Sequence, residues 1–119
     1  MKAFQITARV AAFSCMFFIA FVTLSPIGLR PIVAGLQTEH LLAFFVVGAL
    51  FGMGFPRHFL SMAIIVIASA LAMEALQNLV PGRHGRLLDV DVKIVGAIAG
   101  FACAAGWNLL VSRRHRRTQ

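Results

Sequence analysis

Glu74 is the only charged residue in an apolar run over residues 59–80, and Gln77 follows it three positions later. At helical spacing the two share a face. A carboxylate and an amide so placed can orient a hydroxyl or amide group, and the carboxylate can serve as acid or base. Arg83, His84, Arg86, Asp89, Asp91 and Lys93 crowd the interval before the next apolar run. Arg83, Arg86 and Lys93 suit a phosphate or carboxylate, the arginines bidentately. His40, after Glu39, precedes another apolar run. The candidate binding set is therefore Glu74, Gln77, Arg83, Arg86, Asp89, Lys93 and His40, with Glu74 and Asp89 the catalytic candidates if a reaction is run.

Each of these residues also has a plainer role. An ionisable group at the depth of Glu74 costs about 2–3 kcal/mol or more without a partner or water, so Glu74 could be one half of an interhelical clasp with His40 or Arg86. Either way, Glu74→Gln is expected to leave folding largely intact. Asp91 suits a helix cap and Glu39 a first-turn acid. His40 and His84 lack ligand-type spacing, no nucleophile motif occurs, and no metal or cofactor is expected. Cys15 and Cys103 lie in separate apolar runs without C-x-x-C spacing, and small buried packing roles are expected for both.

The elements that must hold these groups are membrane spans. Of the 119 residues, 60% are hydrophobic and 13% charged, and the mean hydropathy is +0.87. That leaves too little polar surface to cover a soluble domain. One membrane domain covers residues 1–119, with spans at about 10–29, 41–55, 59–80 and 94–111 and a basic tail at 112–119; a helix of about 20 residues crosses a hydrocarbon core of about 30 Å. The first span resembles a signal peptide but lacks an A-x-A cleavage site, so it is expected to be retained. Ser25-Pro26 is expected to end its helix. Pro56-Arg57-His58 is short enough to force an antiparallel pair, and Pro81 to Arg86 is a turn by composition. Gly48 with Gly52, and Gly96 with Gly100, have the G-x-x-x-G spacing of close helix contacts.

Charge placement sets orientation. With both termini inside, Lys2, Arg9, Arg57, Arg113, Arg114, Arg116 and Arg117 are cytoplasmic, against Arg30, Arg83, Arg86 and Lys93 outside. Seven against four favours an all-α bundle of four transmembrane helices, N-in and C-in, with Trp107 as an inner interfacial anchor. The net charge of +7 does not point to nucleic acid, because the cations flank apolar spans and no basic face is interleaved with aromatics. The run at 113–117 reads as a topology anchor touching anionic lipid, without a recognition role of its own.

Several pieces occur in a telling order: Ser25-Pro26, then Glu39-His40-Leu41-Leu42-Ala43-Phe44, Glu74-x-x-Gln77, Arg86-x-x-Asp89 and Gly96-x-x-x-Gly100. Together, over about residues 20–105, they resemble the VanZ-like family of small bacterial membrane proteins. Lys93 departs from the family pattern, which more often has Asn there. The family is named for a member associated with low-level teicoplanin resistance, so the resemblance implies an envelope-related role with a link to glycopeptide susceptibility. It also implies that Glu74, Gln77, Arg86 and Asp89 act as a unit, and it brings no reaction with it.

The expected function is a multi-pass protein of the bacterial inner membrane whose outer-face site binds or handles an anionic or polar envelope lipid. The alternatives are a membrane enzyme using Glu74 as acid or base on such a lipid, and a structural subunit of an envelope complex or homo-oligomer joined through the G-x-x-x-G faces. A four-span exporter is less favoured because the first span has no acid. The reading leans against an enzyme. Its topology is testable: a cysteine at Leu87, in a background lacking Cys15 and Cys103, should react with an impermeant maleimide in intact spheroplasts. Labelling only after permeabilisation would reverse the orientation.

Overall fold

A computed structural model describes residues 2–24, 36–77, 79 and 87–119. Four α-helices follow one another: α1 (Lys2–Leu24), α2 (Leu36–Gly54), α3 (Phe59–Gln77) and α4 (Leu87–Arg117), with a 3₁₀ turn at Pro56–His58 between α2 and α3. The fold is an all-helical bundle. α1, α2 and α4 each begin before the apolar stretch that marks them in the sequence, because a helix is not bounded by its apolar residues. So α1 starts at Lys2 rather than near residue 10, and α4 runs from Leu87 through the arginines of the tail. The last described residue of α1 is Leu24, just before Ser25-Pro26.

Direction alternates along the bundle. Arg9 of α1 lies against Gly54 of α2, and Phe13 against Phe51, so these two helices are antiparallel. Along α2 and α4 the register rises together: Leu41 meets Gly96, Phe45 meets Gly100, and Gly52 meets Phe101 and Ala104. They are parallel, with α3 returning the chain between them. Both chain termini and the Pro56–His58 turn share one end, the termini end. The start of α2, the end of α3 and the start of α4 share the other, the loop end.

The seam between α2 and α4 is the most extensive helix contact in the bundle. Four glycines make it possible. A Cβ on Gly48 would strike the Ala97 carbonyl, and one on Gly96 the Leu41 carbonyl. On Gly100 it would strike the Phe45 carbonyl and lie 2.7 Å from the Ala49 nitrogen; on Gly52, 2.5 Å from the Ala104 Cβ. The two G-x-x-x-G faces therefore meet each other inside the chain. Beside the seam, Phe44, Val47, Phe51, Val66, Ala70, Met73, Ala97 and Phe101 form the buried core. Phe13 meets Phe51 edge-on at 5.2 Å between centroids, and Phe59 meets Phe101 at the same distance, tying α1 and α3 to the seam.

The outside of the bundle is apolar as well. Phe13, Phe17, Phe18 and Phe21 of α1, Leu60 and Ile64 of α3, and Val95 and Ile98 of α4 are all exposed. Stretches within α1, α4 and the region of α3 are long and apolar enough to cross a membrane, while the apolar part of α2, Glu39–Gly54, is shorter. Cys15 packs partly buried against the core, but Cys103 faces outward. The expected burial of Cys103 is thus corrected: the stripe of α4 that meets α2 runs through Gly100, Phe101 and Ala104, and position 103 falls outside it.

Gly100→Ala should lower thermal stability in detergent by about 1–3 kcal/mol, since overpacking meets helix backbone there. Gly106, with nothing near its missing Cβ, should accept alanine unchanged or with a gain of up to about 1 kcal/mol. Equal melting shifts for the two variants would contradict the seam.

Candidate functional site

The buried stripe of α4 contains Val90, Lys93, Ala97, Phe101 and Ala104, and that of α3 contains Val66, Ala70, Met73 and Glu74. Both stripes follow helical spacing. They carry one charged residue each, and where the helices meet near the loop end the two charges touch. Lys93 Nζ donates to Glu74 Oε2 at 2.9 Å. The lysine side chain is 0% exposed and the glutamate 9%.

A buried ion costs several kcal/mol in lost hydration, and only a close counter-charge offsets it. Lys93 begins about 9 Å inside α4 and Glu74 about 4.5 Å inside α3, at 1.5 Å per residue. Each reaches the other from its own helix, so the pair joins the end of α3 to the start of α4. Lys93 is thus a partner of Glu74 beyond the two expected for a clasp, and its ammonium, expected at a headgroup, lies inside the bundle. His40 is also buried. Leu41 faces Gly96, one turn past Lys93, which places His40 near the level of Lys93 along the α2–α4 seam.

The other expected residues are placed only in part. Arg83 and Arg86 lie outside the described residues, as do the side chains of Gln77 and Asp89, although Gln77 ends α3 and Asp89 sits in the first turn of α4. Asp91 is exposed and lies in the second turn of α4, too far in to cap a helix that begins at Leu87. Glu39 lies in the first turn of α2. Among the described residues, no group of three His, Cys, Asp or Glu side chains could hold a metal ion.

A second polar layer, at the termini end, has no counterpart in the sequence reading. Arg9 donates through Nε to the Gly54 carbonyl at 2.7 Å and lies 4.6 Å from the Phe55 ring centroid. Asn108 donates through Nδ2 to the Gly52 carbonyl at 3.1 Å. These are carbonyls that the end of α2 leaves without helical donors. From the sequence, Arg9 is expected only as a topology charge. The pairing of Lys93 did have a signal: its spacing from Val90 and Ala97 puts it on the buried stripe once α4 is begun at Leu87.

No protein-family model, no curated protein and no solved structure matches this chain.

The pair reverses the expectation for Glu74→Gln. An amide there leaves a fully buried ammonium without its counter-charge, so the variant should lose about 3–5 kcal/mol of stability, as should Lys93→Met. Thermal melts in mild detergent decide this. Parent-like melting of Glu74→Gln would show that the ion pair is not a major support of the bundle.

Proposed function

We propose that the chain is a multi-pass inner-membrane protein of the VanZ-like kind that binds an anionic or polar envelope lipid at its loop end. The observation that carries this reading is the buried Glu74–Lys93 pair set just beneath that end. The apolar exterior supports the membrane part, because phenylalanines as exposed as Phe17 and Phe18 are costly against water and at home in lipid. The shorter apolar stretch of α2 fits a locally thinned bilayer. The seven-to-four cation bias supports a termini end in the cytoplasm and a loop end outside.

At the loop end the division of labour differs from the one the residue types suggest. The charge of Lys93 is engaged by Glu74, so the anion-binding role passes to Arg83 and Arg86 of the α3–α4 connection. Lys93 becomes a positioning residue that holds the glutamate in place. Glu74, within about 5 Å of the end of α3, is at a depth that a hydroxyl or amide of a headgroup can reach. A carboxylate already bound to a buried ammonium fits orientation better than proton transfer, which weighs against the enzyme reading. The VanZ resemblance supports an envelope setting and a link to glycopeptide susceptibility.

Mass spectrometry of lipids co-purified in mild detergent tests the proposal. An anionic isoprenoid or glycolipid should be enriched over its share of the membrane, and Arg83→Gln with Arg86→Gln should abolish the enrichment while melting like the parent. A parent carrying lipids only in membrane proportions would overturn the binding role and leave the ion pair as a helix clasp.

A further inference from the structure

The termini end carries charge of one sign. Lys2 opens α1, Arg57 and His58 lie on the turn into α3, and Arg113, Arg114, Arg116 and Arg117 close α4, all exposed. The four acids of the chain, Glu39, Glu74, Asp89 and Asp91, all belong to helix segments at the loop end. Nothing in the sequence neutralises the arginines from nearby positions.

The arginines are also ordered. α4 continues as helix through Arg117 instead of ending where its apolar residues end. At about 100° per residue, Arg116, Arg113, Arg117 and Arg114 follow one another across an arc of roughly 160°, and His115 lies opposite. The result is a one-sided arginine face on a rigid extension. Below it, Trp107 and Phe4 pack with ring centroids 6.1 Å apart, and Trp107 is 46% exposed. An exposed Trp at a helix end marks the boundary between hydrocarbon and headgroups. Arg113 lies six residues further, about 9 Å along the axis. Headgroups extend each side of the hydrocarbon core by about 5–8 Å, so the arginine face begins at their outer edge and its long side chains reach back to the phosphates.

We infer that this face binds the phosphates of anionic phospholipids and so recognises lipid, beyond setting topology. A bilayer is favoured over a soluble acidic partner by Leu109 and Leu110, which lie within about one turn of Arg113 and are about as exposed as Val95 and Ile98 earlier in α4. An anionic bilayer covers the leucines and neutralises the arginines together. The inference rests on the membrane part of the proposed function and is independent of the loop-end site.

Trp107 is the only tryptophan, so its fluorescence reports the lipid around this end. The full chain is placed in phosphatidylcholine nanodiscs containing a fixed fraction of either brominated phosphatidylglycerol or brominated phosphatidylcholine. The anionic quencher should be at least about fivefold more effective, the equivalent of roughly one arginine–headgroup interaction. The preference should vanish when Arg113, Arg114, Arg116 and Arg117 are all changed to Gln, and survive when all four become Lys. In the unmodified chain it should shrink in about 1 M salt, where screening acts within about 3 Å, a readout that needs no variant to fold. Equal quenching by the two lipids, or a preference untouched by salt and by the Gln changes, would overturn the inference. Quenching by neither would overturn the membrane reading itself, and the inference with it.

Discussion

A lysine ammonium sealed inside an apolar bundle needs a counter-charge at contact distance, and in this chain Glu74 supplies one. The 2.9 Å contact between Lys93 and Glu74 therefore fixes more than two side chains. It sets the register of α3 against α4 near their loop-end limits. α4 is in turn seated on α2 through glycines that admit no side chain between the backbones. The ion pair and the glycine seam together determine how three of the four helices stand. Apolar packing alone would let α3 slide or rotate at modest cost, whereas separating two buried charges costs several kcal/mol per ion.

The bundle then divides into layers. Its middle is phenylalanine, valine and alanine. One end holds the ion pair; the other holds Arg9 and Asn108 on the last carbonyls of α2, with the arginine face of α4 beyond them. Buried polar groups thus appear where helices end or where a charge must be neutralised. All of the acid is at one end, while the other carries only cations. That asymmetry supports both proposals: a built polar site with mixed charge for a particular lipid at the loop end, and a uniformly cationic face for anionic bilayer phosphates at the termini end.

Much of the architecture was legible in the sequence. Four apolar runs, the Pro56–His58 break and the two G-x-x-x-G pairs suffice for a helical bundle with close contacts, and the seam uses those glycines. The depth of Glu74 marked it as needing a partner. Its contact with Lys93 is hidden when the fourth span is bounded by charge and begun at residue 94, one position after Lys93, and emerges when the buried stripe is followed back through Val90. Arg9 and Asn108 were beyond reach for another reason. Their acceptors are backbone carbonyls 45 and 56 residues away, and every residue type presents the same carbonyl. Cys103 was read as buried from its small apolar character, which is equally at home on an outward face.

The claim that charge complementarity between positions 74 and 93 holds α3 to α4 is tested most directly by reversing the charges. Glu74→Lys and Lys93→Glu should each fail to give a stable bundle in mild detergent, because each buries two like charges in contact. Together in one chain they restore an opposite pair, and the double variant should recover most of the parent's melting temperature. Single reversals that melt like the parent, or a double variant no more stable than either single, would contradict the account.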